Sequence, residues 1–244
     1  MSGAVLQANK VSKVLGHGAG EVHALRDVDF SMHGGELTLL MGPSGSGKTT
    51  LLSVLGCMLA PTAGTVSVCG HDTAGAGAEE LAQLRRDHIG FIFQSYHLFP
   101  TLTAAENIQL ALDVRGETSD KARARAHDAL ARVGLSHKIN SFPREMSGGE
   151  QQRVAIARAI VSNPSAILAD EPTAALDTEN GHAIMAILAD IAQEPGRGVL
   201  VVTHDPRLLP FADRIHRIED GLIVGVEAGP ARKAELRTAT AGPA

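Results

Sequence analysis

The sequence predicts an α/β protein with a mostly parallel sheet, antiparallel strands near the N-terminus and a helical insert. Three observations carry that reading. Short apolar runs of strand length recur at residues 37–41, 166–169 and 199–202, with helix-patterned stretches between them. Parallel strands need such crossovers, and the crossovers cover both faces of the sheet. Val28, Phe30 and Met32 alternate with Asp27, Asp29 and Ser31, the period-two pattern of a half-buried strand. From about residue 95 to 163 the pattern turns helical. A chain of 244 residues with 44% apolar content suits one large domain with a subdomain.

Taken in order, residues 16–20 read as a loop tip. Leu37-Thr38-Leu39-Leu40-Met41 is a buried strand that leads into Gly42-Pro43-Ser44-Gly45-Ser46-Gly47-Lys48-Thr49-Thr50. That run fits G-x-x-x-x-G-K-[ST], and Leu51-Leu52-Ser53-Val54-Leu55 continues it as helix. Strand, glycine loop, helix is the context of a phosphate-binding loop, so the core is that of a phosphate-loop NTPase. Gly42, Gly45 and Gly47 let backbone N–H groups wrap a polyphosphate, and the helix N-terminus adds partial positive charge. Lys48 supplies a point charge to the outer phosphates, and the Thr49 hydroxyl is placed for Mg²⁺.

Residues 61–64 form a turn, 65–69 a short strand and 71–80 a loop rich in Gly and Ala. Residues 89–93 form a strand that ends at Gln94. Ser119 or Asp120 can cap a helix that runs toward Val133 and stops at Gly134. Another helix starts near Ser147 and stops before Asn163-Pro164. Beyond the strand at 166–169, Ile184, Ile187, Leu188 and Ile191 mark a helix. The strand at 199–202 leads to Thr203-His204-Asp205, and 215–218 with 222–226 suggest a closing pair of strands. Residues 1–225 then make the nucleotide-binding domain, with the helical subdomain at about 95–163. Residues 226–244 read as a poorly ordered tail.

In such sheets ligands bind beyond the carboxyl ends of the strands. The phosphate loop, Gln94, Asp170 with Glu171, and His204 each follow an apolar strand. Asp170 can hold Mg²⁺ and Glu171 can polarise an attacking water. Gln94 offers an amide oxygen to metal or water, and His204 a hydrogen bond to the terminal phosphate. Each alone is an ordinary strand-end residue; beside a phosphate loop they form a set.

Ser147-Gly148-Gly149-Glu150-Gln151-Gln152-Arg153 separates this chain from other phosphate-loop proteins. Ser147 and Glu150 fit a capping box. Gly148 and Gly149 cost the helix up to about 1 kcal/mol each. They make sense where a bulky anion must approach the exposed N–H groups.

The motifs at Gly42 to Thr49, Gln94, Ser147 to Gln151, Ile167 to Glu171, Asp177 and His204 appear in an order that resembles the ATP-binding subunits of ABC transporters. The resemblance covers about residues 5–225. Ala169-Asp170-Glu171-Pro172-Thr173 is similar to the lipoprotein-release, macrolide-export and cell-division branch. Ala174-Ala175-Leu176-Asp177 is most similar to the glycolipid-export type. The resemblance implies ATP and Mg²⁺ as cofactors and two copies paired head to tail. ATP would lie between the phosphate loop of one copy and Ser147, Gly148, Gly149 and Glu150 of the other. It also implies a D-loop at Asp177, a membrane permease partner and possible work with a periplasmic adaptor. The location would be cytoplasmic, on the inner face of the membrane. Leu98, Phe99, Pro100 and Leu102 suit either a docking groove for that partner or subdomain core.

Three positions depart from the family pattern. Met146 replaces a leucine, Glu150 places a negative charge near a phosphate site, and Leu15 stands where an adenine-stacking aromatic is expected. Net charge −5 argues against nucleic acid as a partner. No apolar run approaches the ~18 residues of a membrane span. A phosphate-loop kinase would leave the Ser147 stretch unexplained. A soluble ATPase of the same type on a non-transport partner is the alternative reading.

Overall fold

The computed structural model describes residues 3–117 and 119–232. The strands are β1 (Ala4–Leu15), β2 (Val22–His33), β3 (Leu37–Met41), β4 (Ala63–Val68), β5 (His71–Asp72), β6 (Ile89–Ile92), β7 (Ala166–Asp170), β8 (Gly198–Thr203), β9 (Arg214–Glu219) and β10 (Leu222–Ala228). The helices are α1 (Lys48–Leu55), α2 (Ala78–His88), α3 (Ala104–Asp113), α4 (Ser119–Arg132), α5 (Gly148–Ile160) and α6 (Thr178–Ala192).

The strands form two sheets, an antiparallel one in the order β2-β1-β4-β5 and a second in the order β10-β9-β3-β8-β7-β6. In the second sheet the neighbours from β9 to β6 are parallel, and β10 returns antiparallel on β9. The period-two pleat divides the side chains of the central strands between two cores. Leu39, Ile167, Ala169, Val199 and Val201 face a core shared with α3, α4, α5 and α6. Leu40, Ala166, Leu168, Leu200 and Val202 face a core shared with α1 and the antiparallel sheet. Both faces are covered, so β3 and β8 are buried at every position. That is why they read as unbroken apolar runs.

Four expectations shift. The glycine-rich stretch 71–80 is not loop throughout, because β5 holds His71 and Asp72 and α2 begins at Ala78. Only Leu84 of α2 is buried and its N-cap is Gly77 without a side-chain bond, so the helix lacks both periodicity and cap signal. The expected tail at 226–244 is ordered at its beginning. β10 runs to Ala228, and Gly229 and Ala231 donate backbone hydrogen bonds to Asp213 and Ala212. Residues 233–244 lie outside the described residues. The strand at 89–93 ends at Ile92. α4 already includes Ser119 and Asp120, so neither is the residue that precedes it as a cap. The period-two pattern at 27–32 belongs to β2, whose partner β1 had no pattern clear enough to name.

Candidate functional site

β3, β8, β7 and β6 lie side by side and run the same way, so their carboxyl ends form one rim. The loop Gly42, Pro43, Ser44, Gly45, Ser46, Gly47 leaves β3, and Lys48, Thr49 and Thr50 open α1. His204 follows β8, Asp170 closes β7 with Glu171 next, and Gln94 stands two residues past β6.

The loop is shaped by close backbone approach. Gly47 sits at φ +101°, and a Cβ there would lie 2.4 Å from the Ala24 carbonyl oxygen of β2. Only glycine fits. Gly47 is also the N-cap of α1 and makes no side-chain cap bond, so no side chain of its own occupies the leading N–H groups. The same approach brings the end of the β1–β2 hairpin beside the loop. There Leu15 pairs with Val22, and the two are 39% and 59% exposed, an aliphatic surface where the family pattern expects an aromatic ring.

Lys48 is buried, and its Nζ donates to the carbonyl oxygens of Gly42 at 2.8 Å and Pro43 at 2.7 Å. Burial lowers its pKa, against the opposing pull of Glu171 and Asp170. Burial likewise raises the Asp170 pKa, helped by the charge of Glu171 and opposed by Thr49 and Lys48. Thr49 Oγ1 donates to Asp170 Oδ1 at 3.4 Å. At the rim, then, desolvation outweighs the neighbouring opposite charge at both the Lys48 ammonium and the Asp170 carboxylate. A phosphate anion would relieve the first and a divalent cation the second. Thr49 and Asp170 supply hard oxygen donors, with Gln94 on the next strand end. No group of three or more His, Cys, Asp or Glu able to hold a metal exists among the described residues. The donors fit Mg²⁺, which is commonly held by one or two carboxylates together with substrate phosphates.

Glu171 adopts φ +47°, an uncommon region for a non-glycine residue, and its N–H is tied to the Val202 carbonyl at 2.9 Å. Such strain persists only where surrounding structure holds it. It aims the side chain so that Oε1 lies 2.7 Å from Nδ1 of His204. With the carboxylate as acceptor, Nδ1 is the donor.

The start of α5 is built differently. Ser147 Oγ accepts the Glu150 N–H at 3.3 Å, and Glu150 Oε2 accepts the Ser147 N–H at 2.8 Å. Lys138 Nζ stands 3.2 Å from the other Glu150 oxygen. The negative charge expected to disturb a phosphate site is therefore directed into the cap and partly neutralised. Met146, the other departure here, is buried in the helical core. A Cβ on Gly148 would lie 2.9 Å from the Tyr96 hydroxyl, and one on Gly149 would lie 2.9 Å from Asn180 Oδ1. Tyr96 and Asn180 thus pack closely against the two glycines within the chain. Asp177 caps α6, with Oδ1 accepting the Asn180 N–H at 2.9 Å.

The segment after Gln94 is core only in part. Leu98 packs on the helical core, while Phe99 is 50% exposed and borders a groove of about 400 Å³ with Phe91, Phe93, His97 and Val114. Asn107 fixes it by accepting the Phe99 N–H and donating to the carbonyls of Phe99, Leu102 and Thr103. Sequence reasoning missed Tyr96, Lys138, Asn180 and Arg207, which act through tertiary contacts and carry no motif.

Residues 25–174 match the model of the ABC transporter family. The chain is 46% identical over 221 residues to a macrolide export ATP-binding/permease protein, MacB, of Salmonella paratyphi A. It is 41% identical over 237 residues to the protein of that name in Hahella chejuensis. These alignments cover 91% and 97% of this chain, which spans about a third of the length of the curated relatives it matches, 34% and 36%. Among solved structures, the ATP-binding cassette MJ0796, a dimer bound to ADP and Pi, aligns with TM-score 0.84 at 40% identity, covering 91% of this chain and 98% of that one. The structure of cbiO1 from Clostridium perfringens, part of the transporter complex cbiONQ, aligns with TM-score 0.83 at 26% identity, covering 98% and 95%. The chain therefore belongs to the ABC transporter family.

Proposed function

We propose that this chain is the ATP-hydrolysing subunit of a transporter, that it works as a pair of copies, and that it drives a membrane permease in export. The observation that carries the reading is the rim, where buried Lys48 and part-buried Asp170, each shifted toward its neutral form by desolvation, stand beside the His204–Glu171 pair. In this reading Lys48 leaves the carbonyls of Gly42 and Pro43 to meet the outer phosphates of ATP. The α1 N–H groups and the backbone of the loop hold the rest of the polyphosphate. Mg²⁺, when bound, neutralises phosphate charge, and Thr49, Asp170 and Gln94 are the residues that hold it. Glu171 accepts the proton of the attacking water, and His204 holds that carboxylate in place through Nδ1. Ser147, Gly148, Gly149 and Glu150 of the second copy close over the nucleotide, with Asp177 at the same interface.

The chain supplies no helix long and apolar enough to cross a membrane among its described residues. A permease would dock at the groove beside Phe99. The curated relatives are named as joint ATP-binding and permease proteins for macrolide export, which supports export; the substrate of this chain is left to its permease. The test is release of inorganic phosphate from ATP by the purified chain with Mg²⁺ and no added acceptor. Turnover with free phosphate as product is expected. Transfer of the phosphate to a small-molecule acceptor would make the chain a kinase instead.

A further inference from the structure

Arg207 has no role in the chemistry described so far, yet its guanidinium hydrogen-bonds to two segments near the rim. It lies three residues past His204, in the 3-10 turn Pro206–Phe211 that follows β8. Its Nε donates to Asp205 at 2.9 and 3.0 Å, and one terminal nitrogen donates to Asp205 Oδ2 at 2.7 Å. Asp205 is held in return, since its carboxylate also accepts the Arg207 N–H at 2.9 Å. The remaining terminal nitrogen reaches outward and donates to Thr178 Oγ1 at 2.8 Å, 29 residues away in the chain. Thr178 is the first residue of α6 and adjoins Asp177.

The Arg207 side chain is 59% exposed. An ion pair in water adds little to stability, so stability does not account for this geometry. The planar fork fixes direction, which a lysine would not do. One guanidinium joins the loop that carries His204 to the turn that carries Asp177. Asn180, one turn along α6, is bonded to Asp177 and packs against Gly149 at the start of α5.

We propose that Arg207 is a positioning residue: it straps the His204 loop to the Asp177 end of α6, so that the two move as one body. This rests on the composite-site reading above, in which His204 serves the copy's own nucleotide and α5 with Asp177 serve the nucleotide of the partner. Arg207 touches no reacting atom. It acts by holding His204 in register with the interface.

The tests use the whole chain with Arg207→Ala, Arg207→Lys and Thr178→Val. Without nucleotide, amide hydrogen exchange in 204–207 and 178–181 reads the strap directly. Arg207→Ala is expected to raise exchange several-fold in both segments together. An increase confined to 204–207 would overturn the strap, whether or not the chain hydrolyses ATP. In turnover, Arg207→Ala is expected to lower kcat about tenfold with KM for ATP within about twofold, the pattern of a lost transition-state interaction. Arg207→Lys is not expected to restore it, since its single ammonium cannot serve both partners. The Thr178→Val, Arg207→Ala double variant is expected to match Arg207→Ala, because coupled residues are not additive. Full rescue by lysine, or a double variant that adds, argues against the strap. No turnover in the wild type would remove the function reading instead and leave the exchange result to decide the strap.

Discussion

The starts of α1 and α5 are both glycine-bearing helix N-termini, and they are prepared for an anion in opposite ways. At α1 no side chain caps the leading N–H groups, and Lys48 is folded back on Gly42 and Pro43. At α5 a full capping box already uses Ser147 and Glu150, with Lys138 on the far oxygen. The first end is deficient and needs a ligand. The second is self-satisfied and can tolerate solvent until something replaces it. The difference fits a protein that holds nucleotide on one end by itself and engages the other end only across a pair.

The comparison breaks at four points, taken from the largest expected effect. The α1 side carries the chemistry, so Glu171→Gln should cut ATP hydrolysis by about 10²–10⁴, the range of general-base catalysis. ATP should still bind, and a paired, ATP-bound species should accumulate on size exclusion with Mg²⁺. Hydrolysis near the wild-type rate would remove Glu171 from its role. Next, Lys48→Ala should weaken ATP binding to the single subunit by about 10–100-fold, the worth of a charged hydrogen bond. Ser147→Arg should leave that affinity within about twofold and block pairing. Equal losses in calorimetric titrations of the two variants would mean that both helix ends serve one nucleotide within one chain.

The third point is the aliphatic surface beside α1. Leu15 and Val22 offer apolar contact to the base and no ring. Aromatic stacking adds about 0.5–1.5 kcal/mol, so Leu15→Tyr should tighten ATP binding by a few-fold. The wild type should show little preference for ATP over GTP. Competition binding with both nucleotides checks this; strong, unaltered ATP selectivity would place the base elsewhere.

The smallest effect belongs to the α5 cap. The Ser147 N–H, its largest influence, and Lys138 hold the Glu150 carboxyl below its ordinary 4.5. A lowered carboxylate pKa stabilises fully above the unfolded value and is lost as pH falls through the folded one. Glu150→Gln keeps the cap acceptor and loses the charge. It should cost under about 1 kcal/mol at neutral pH and abolish that part of the acid sensitivity in denaturant melts at pH 3 to 7. A variant with the wild-type acid limb would show that Glu150 is not the titrating cap.

The site was legible in the sequence to unequal depth. Gly42 to Thr50, Asp170, Glu171 and His204 were readable because each follows an apolar strand, and the strand ends of a parallel sheet meet. Ser147 and Glu150 were readable as a capping box because capping is local. The strained φ of Glu171, the packing of Tyr96 and Asn180 against Gly148 and Gly149, and Lys138 beside Glu150 left no local trace. α2 was invisible for the opposite reason: it is polar along most of its length and buries only Leu84.

What the sequence determined by itself is what depends on neighbours in the chain: the period-two pleat of β2, the unbroken apolar runs of β3, β7 and β8, the loop chemistry at 42–49 and the cap at Ser147. The tertiary structure alone decided which strand ends lie beside each other and where the charges go. It buried Lys48 and partly buried Asp170, turned Glu150 toward Lys138, and brought Arg207 to Thr178 across 29 residues. Those outcomes depend on desolvation and distance, and neither quantity exists until the sheet order brings distant segments together.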